Sequence, residues 1–174
     1  MKTLILGGVR SGKSRLAERL AADTGKPVTY IATATARDDA QMAARIAAHQ
    51  VRRPTGWTLV EEPLALAAAA QAHARAGGCV LVECLTLWLT NLLVDADAAA
   101  LDREQAALLA ALDDLPGDVI LVGNETGMGI VPLGELTRRY CDAAGRLHQD
   151  IAARCERVLL TVAGLPLALK GDLP

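Results

Sequence analysis

Short apolar runs rich in β-formers recur at Thr3–Leu6, Val28–Ala32, Thr58–Glu61, Val80–Glu83, Val119–Val122 and Val158–Val162. Longer segments containing Ala, Leu and Arg lie between them, at Lys13–Ala22, Asp38–Arg52, Leu64–Ala76, Ala98–Leu115 and Gly134–Arg154. The first set has the length of buried strands, the second the length and spacing of helices. Their alternation predicts an α/β chain in which a mostly parallel sheet carries helices on both faces. Alanine tracts such as Ala67–Ala70 read as strong helix formers rather than low complexity. No repeat or linker interrupts the pattern, so residues 1–174 are expected to form one domain.

Composition narrows the partner. Phe is absent, so Leu, Val, Ile and Ala must fill the core. Eighteen basic and 20 acidic residues leave a net charge of −2, with no global basic field to draw in nucleic acid or an acidic membrane. A small-molecule partner is the expectation. Cys79, Cys84, Cys141 and Cys155 contain no C-x-x-C pair, and three of them fall in apolar runs, which points to a reducing compartment and no zinc site. The start MKTLILGGVRSGKS has too short an apolar run for a secretory leader, and no stretch reaches the roughly 20 apolar residues of a membrane span. A cytoplasmic location is expected.

The chemistry begins at Gly7, Gly8, Val9, Arg10, Ser11, Gly12, Lys13 and Ser14, which fit G-x-x-x-x-G-K-[ST] directly after a strand and before a helix. Glycines let backbone N–H groups wrap a phosphate, and the helix N-terminus adds positive potential. Lys13 is placed to reach the terminal phosphates and the Ser14 hydroxyl to hold Mg²⁺. Glu83, at the C-terminal end of its strand, is the candidate acidic partner of the magnesium shell, since open α/β sheets bind ligands at that edge. Gly123-Asn124-Glu125-Thr126 ends another strand but is not the Asn-Lys-x-Asp element that reads guanine, which disfavours a switch GTPase. A small-molecule kinase leads from the residues alone.

His49 is harder to place. Met42, Ile46 and His49 share one helical face, which makes a packed core histidine a natural reading. Yet Pro54 and Gly56 end the helix just beyond, and Arg52 and Arg53 follow the histidine. Neutral imidazole can attack phosphorus, with neighbouring arginines offsetting charge on the phosphate oxygens. Both readings stand on these residues. His73 and His148 have no clustered base or metal partner in sequence and read as structural; Glu61 and Glu62 end a strand and could meet a base or ribose or simply solvent.

Taken together and in order, GGVRSGKS, YIATATA, RIAAHQVRRP, GWTLVEEP, VLVECLTLWLTNLL and NETGMGIVPLGELTRRYCDAAGRLHQDIAARC resemble the bifunctional adenosylcobinamide kinase/adenosylcobinamide-phosphate guanylyltransferases of cobalamin biosynthesis. The resemblance runs from Leu4 to about Lys170. It implies two reactions: phosphorylation of adenosylcobinamide by ATP or GTP, then transfer of GMP from GTP, through a guanylylated histidine, to the phosphorylated corrinoid. It implies that His49 carries the GMP, that Gly7 through Ser14 hold the triphosphate, and that Thr33, Ala34, Thr35, Gln50, Val51, Arg52 and Arg53 line the guanine nucleotide site. Glu61 and Glu83 match its acidic contacts, Glu83 standing where many relatives have Asp. The implied fold is a RecA-like P-loop NTPase with an antiparallel edge strand, for which the closing LPLAL run is the candidate, and the implied assembly is a homotrimer. Two other readings give different outcomes: a P-loop kinase of another small alcohol without guanylyltransferase activity, and a nucleotide-binding regulator that does no chemistry.

Overall fold

A computed structural model of the chain describes residues 1–35, 44, 47, 54–97 and 99–174. Seven strands form one sheet: β1 (Lys2–Gly7), β2 (Val28–Ala32), β3 (Thr58–Glu61), β4 (Cys79–Glu83), β5 (Asp118–Asn124), β6 (Arg157–Val162) and β7 (Leu165–Lys170). Their order is β3-β2-β4-β5-β1-β6-β7. Every pairing is parallel except that of β6 with β7, so the LPLAL run is the antiparallel edge. The described helices are α1 (Lys13–Asp23), α2 (Leu66–His73), α3 (Leu85–Asp95), α4 (Ala100–Asp114) and α5 (Glu135–Arg154).

Alternation along the strands divides the core into two layers, because successive side chains of a strand point to opposite faces. Ile5, Leu81, Ile120 and Val122 pack under Leu16, Ala17 and Ala21 of α1. Leu4, Leu6, Val82 and Leu121 point the other way, into a larger layer closed by α2, α3, α4 and α5. Helices therefore cover both faces, as the alternation of runs predicts. The stretch Asp38–Arg52 lies outside the described residues apart from Ala44 and Ala47, both helical and exposed.

One helix is missing from the periodicity reading. α3, LTLWLTNLLVD, has almost no polar stripe because Leu85, Trp88, Leu89, Asn91 and Leu92 are all buried. A helix enclosed on most sides loses the amphipathic signature that marks a surface helix. Trp88, fully buried, donates from its indole N–H to the Leu64 carbonyl at 2.8 Å and so ties α3 to the segment entering α2. No helix among the described residues is long and apolar enough to cross a membrane.

Trp88→Ala removes a large buried side chain and leaves the Leu64 carbonyl without its donor. It should lower unfolding free energy by about 3–5 kcal/mol in urea titration; a loss under about 1 kcal/mol would show that α3 is not a core element.

Candidate functional site

Parallel strands all present their C-terminal ends at one edge, and the register brings the chemistry there. Gly7 pairs with Asn124 on one side and with Thr161 on the other. Glu83 and Glu61 both sit level with Ala32, on either side of it. The strand between the phosphate loop and Glu83 is β5, so β4 lies two spacings, about 10 Å, from β1.

Close packing enforces the glycines of the loop. A Cβ on Gly7 would meet the Ser11 hydroxyl oxygen at 2.5 Å and the Thr161 carbonyl at 2.6 Å. Gly12 has φ +98°, and a Cβ there would lie 3.0 Å from the Cα of Gly164. Gly164 belongs to the tight turn of the β6–β7 hairpin, whose N–H donates to the Ser11 carbonyl at 2.8 Å. The edge hairpin thus buttresses the loop from outside.

Lys13 is 8% exposed and its ammonium donates to the Gly8 carbonyl at 3.1 Å. No carboxylate pairs with it among the described residues. A buried cation with one neutral acceptor is costly unless an anion joins it, and α1, which begins at Lys13, adds the positive potential of its N-terminus. The Ser11 hydroxyl is likewise buried without a hydrogen-bond partner among the described residues. These orphaned groups fit a polyphosphate. Beside them the Ser14 hydroxyl donates to Glu83 Oε1 at 2.7 Å.

Glu83 is held in place from behind. Thr33, fully buried, donates from its hydroxyl to the Cys84 carbonyl at 2.7 Å and accepts the Cys84 N–H at 2.8 Å, while its own N–H reaches the Glu83 carbonyl at 3.1 Å. Asn91 donates its side-chain amide to the carbonyls of Thr33 and Pro63, at 2.8 and 3.1 Å. The Thr33 hydroxyl is therefore occupied by the backbone after Glu83. Ala34 and Thr35, half-buried, continue along the edge. Glu61 is exposed at the end of β3; the Glu62 carboxylate accepts the N–H groups of Leu64 and Ala65 at 2.9 and 2.8 Å and fixes the turn before α2. Burial pushes the Cys84 thiol up to about 11, which removes it as a nucleophile near neutral pH. His49, Gln50, Val51, Arg52 and Arg53 lie outside the described residues.

The end of β5 also belongs to the site, which the strand pattern did not announce. Asn124 donates its N–H to the Thr86 hydroxyl at 2.7 Å, and Glu125 donates its N–H to the Gly7 carbonyl at 3.0 Å. Behind them α5 presents Tyr140, whose hydroxyl burial raises to about 12, and His148, which is 8% exposed. A Cβ on Gly123 would come within 2.9 Å of His148 Nε2, so that glycine makes room for the imidazole.

A phosphate loop on the middle of a parallel sheet, with a buried lysine and a serine–carboxylate pair at the strand ends, defines a P-loop nucleotide-binding protein of RecA-like fold. The chain belongs to the family described as Cobinamide kinase / cobinamide phosphate guanyltransferase, which matches residues 3–169. It is 64% identical over 172 residues to the bifunctional adenosylcobalamin biosynthesis protein CobP of Pseudomonas aeruginosa, covering 99% of each chain. It is 42% identical over 183 residues to the bifunctional adenosylcobalamin biosynthesis protein CobU of Escherichia coli, covering 98% of this chain and 100% of that one. The solved structure of the RadB recombinase shares the fold at a TM-score of 0.50 and 17% identity, over 91% of this chain and 73% of that one.

Burial holds the His148 pKa below its ordinary value, against a smaller upward pull from Glu125. Between that lowered value and about 6.5, the unfolded chain binds a proton that the folded chain does not. The contribution is thus complete above about pH 6.5 and is lost as pH falls below it. Urea midpoints should drop from pH 7.5 to pH 5.5, and His148→Gln should flatten part of that drop; an unchanged slope in the variant would assign the acid sensitivity elsewhere.

Proposed function

We propose that this chain phosphorylates adenosylcobinamide with ATP or GTP, and then transfers GMP from GTP through His49 to adenosylcobinamide phosphate, giving adenosylcobinamide-GDP and pyrophosphate. The observation that carries the reading is the buried Lys13 ammonium beside the Ser14–Glu83 contact, in a chain of this family. Gly7 through Ser14 hold the triphosphate, with Lys13 offsetting charge on its terminal oxygens. The Ser14 hydroxyl and the Glu83 carboxylate are hard oxygen donors at 2.7 Å from one another and suit Mg²⁺, which takes few protein ligands and shares phosphate oxygens and water. When bound, that ion neutralises charge on the phosphates being transferred.

The second reaction needs a nucleophile on the α-phosphorus. In this proposal a neutral nitrogen of His49 forms the P–N bond as the bond to the β-phosphate oxygen breaks, and pyrophosphate leaves with the electron pair. A phosphate oxygen of the phosphorylated corrinoid then displaces the imidazole. Arg52 and Arg53 offset charge in both steps, and Ala34, Thr35, Gln50, Val51 and Glu61 complete the guanine nucleotide site, with Thr33 contributing from beneath through Glu83. A homotrimer belongs to the same reading; the apolar side chains Leu165, Leu167 and Leu169, exposed on edge strand β7, support it as surface available to another copy. So does a cytoplasmic setting, which suits the four free thiols.

GTP labelled at the α-phosphate should leave acid-labile, alkali-stable label on the protein, and His49→Ala should abolish it. Lys13→Ala should cut both labelling and corrinoid phosphorylation by about 100-fold or more. A protein that phosphorylates adenosylcobinamide but never takes label would be a kinase alone; one that binds GTP and does neither would be a regulator.

A further inference from the structure

Phosphoryl transfer to an alcohol leaves a proton to be removed from the attacking hydroxyl, and neither the phosphate loop nor Mg²⁺ ligands are suited to take it. Four carboxylates stand along the described C-terminal edge of the sheet between β3 and β1: Glu61, Glu62, Glu83 and Glu125. Glu62 is held by the N–H groups of Leu64 and Ala65. Glu83 accepts from the Ser14 hydroxyl. Glu61 ends β3, four strand spacings or about 19 Å from β1.

Glu125 is placed differently. It follows β5, the strand bonded directly to β1, and its backbone N–H donates to the carbonyl of Gly7, the first glycine of the phosphate loop. The preceding residue is pinned by the 2.7 Å bond from the Asn124 N–H to the Thr86 hydroxyl. Its carboxylate is half-buried, and Oε1 accepts the Gly127 N–H at 2.5 Å, which fixes the side chain over its own turn. Oε2 has no hydrogen-bond donor among the described residues. Two successive backbone bonds thus anchor Glu125 to the first glycine of the phosphate loop and to Thr86, and one side-chain bond fixes its carboxylate, the preorganisation that general-base catalysis needs.

We propose that Glu125 is the general base of the kinase step, an inference that rests on the functional reading above. The corrinoid's alcohol oxygen forms a bond to the γ-phosphorus while the bond from that phosphorus to the β,γ-bridging oxygen breaks. The electron pair leaves with the nucleoside diphosphate, and the hydroxyl proton passes to Glu125 Oε2 and from there to solvent. The guanylyl steps need no such base, because their nucleophiles are a neutral imidazole and an ionised phosphate oxygen. Glu125 should therefore separate the two activities.

The test uses the full-length protein with Glu125→Gln, which keeps an Oε1 acceptor for the Gly127 N–H and removes the base. Kinase kcat with adenosylcobinamide and GTP should fall by about 100-fold, with KM for adenosylcobinamide within about threefold of wild type. Labelling of the protein by α-labelled GTP should persist at wild-type stoichiometry, and Glu125→Asp, which keeps a shorter carboxylate, should recover part of the lost kcat. A kinase kcat within about threefold of wild type would overturn the proposal. So would an equal loss of phosphorylation and labelling, which would mark Glu125 as a structural anchor of the loop. If the wild-type protein itself fails to phosphorylate adenosylcobinamide, the functional reading falls first and this inference falls with it.

Discussion

The site is organised around a cation taken out of water. Lys13 is 8% exposed and among the described residues has one neutral acceptor, the Gly8 carbonyl, so the folded chain holds positive charge where it is poorly solvated. That arrangement is tolerable only if the surrounding backbone cannot relax away from it. The close approaches at Gly7 and Gly12 and the N–H that Gly164 sends to Ser11 provide that rigidity. The phosphate loop is therefore not a flexible glycine-rich turn. It is wedged between β5 on one side and the β6–β7 hairpin on the other, and its unmet need for negative charge is what makes a polyphosphate its complement.

The polar edge beside that loop is divided among carboxylates by strand position. Glu83, two strands away, is turned toward Ser14 by the Thr33 network behind Cys84. Glu62 is occupied by the N–H groups of Leu64 and Ala65, in the turn that leads from β3 into α2. Glu125 is drawn against Gly7 through the backbone. Identical side chains thus do different work because the register of the parallel sheet sets how far each stands from the loop, and local hydrogen bonds decide which oxygens stay available.

Much of this was legible in the residues. Six of the seven strands follow from apolar runs, and the phosphate loop from eight consecutive residues whose spacing has a mechanical reason. The seventh strand, β7, exposes Leu165, Leu167 and Leu169 and came only through the family resemblance. What escaped was whatever depended on enclosure or on strand order. α3 is buried on most sides and so shows no polar stripe. Thr33, placed at the guanine nucleotide site only by the family resemblance, turns its hydroxyl inward onto Cys84, a contact that no residue pattern announces. The tenancy of β5 between β4 and β1 is invisible in sequence, and with it the closeness of Glu125 to Gly7. A terminal Asn-Glu pair acquires meaning only once its strand has a neighbour.

Two chemistries at one loop place opposite demands on the same triphosphate. Transfer of the γ-phosphoryl group needs its acceptor at the outer end of the nucleotide, in line with the bond to the β-phosphate, whereas attack on the α-phosphorus needs a nucleophile near the nucleoside end. The chain answers the first demand from β5, whose end is bonded to the loop. β2 ends with Ala32 at the same C-terminal edge, on the far side of β4. In the proposed function, acceptor activation belongs to Glu125 and guanylyl transfer to His49, two separate parts of the chain. The order β2-β4-β5-β1 puts Glu83 and Glu125 on adjacent strands beside the loop, so the carboxylate that meets Ser14 is not the one bonded through its backbone to Gly7.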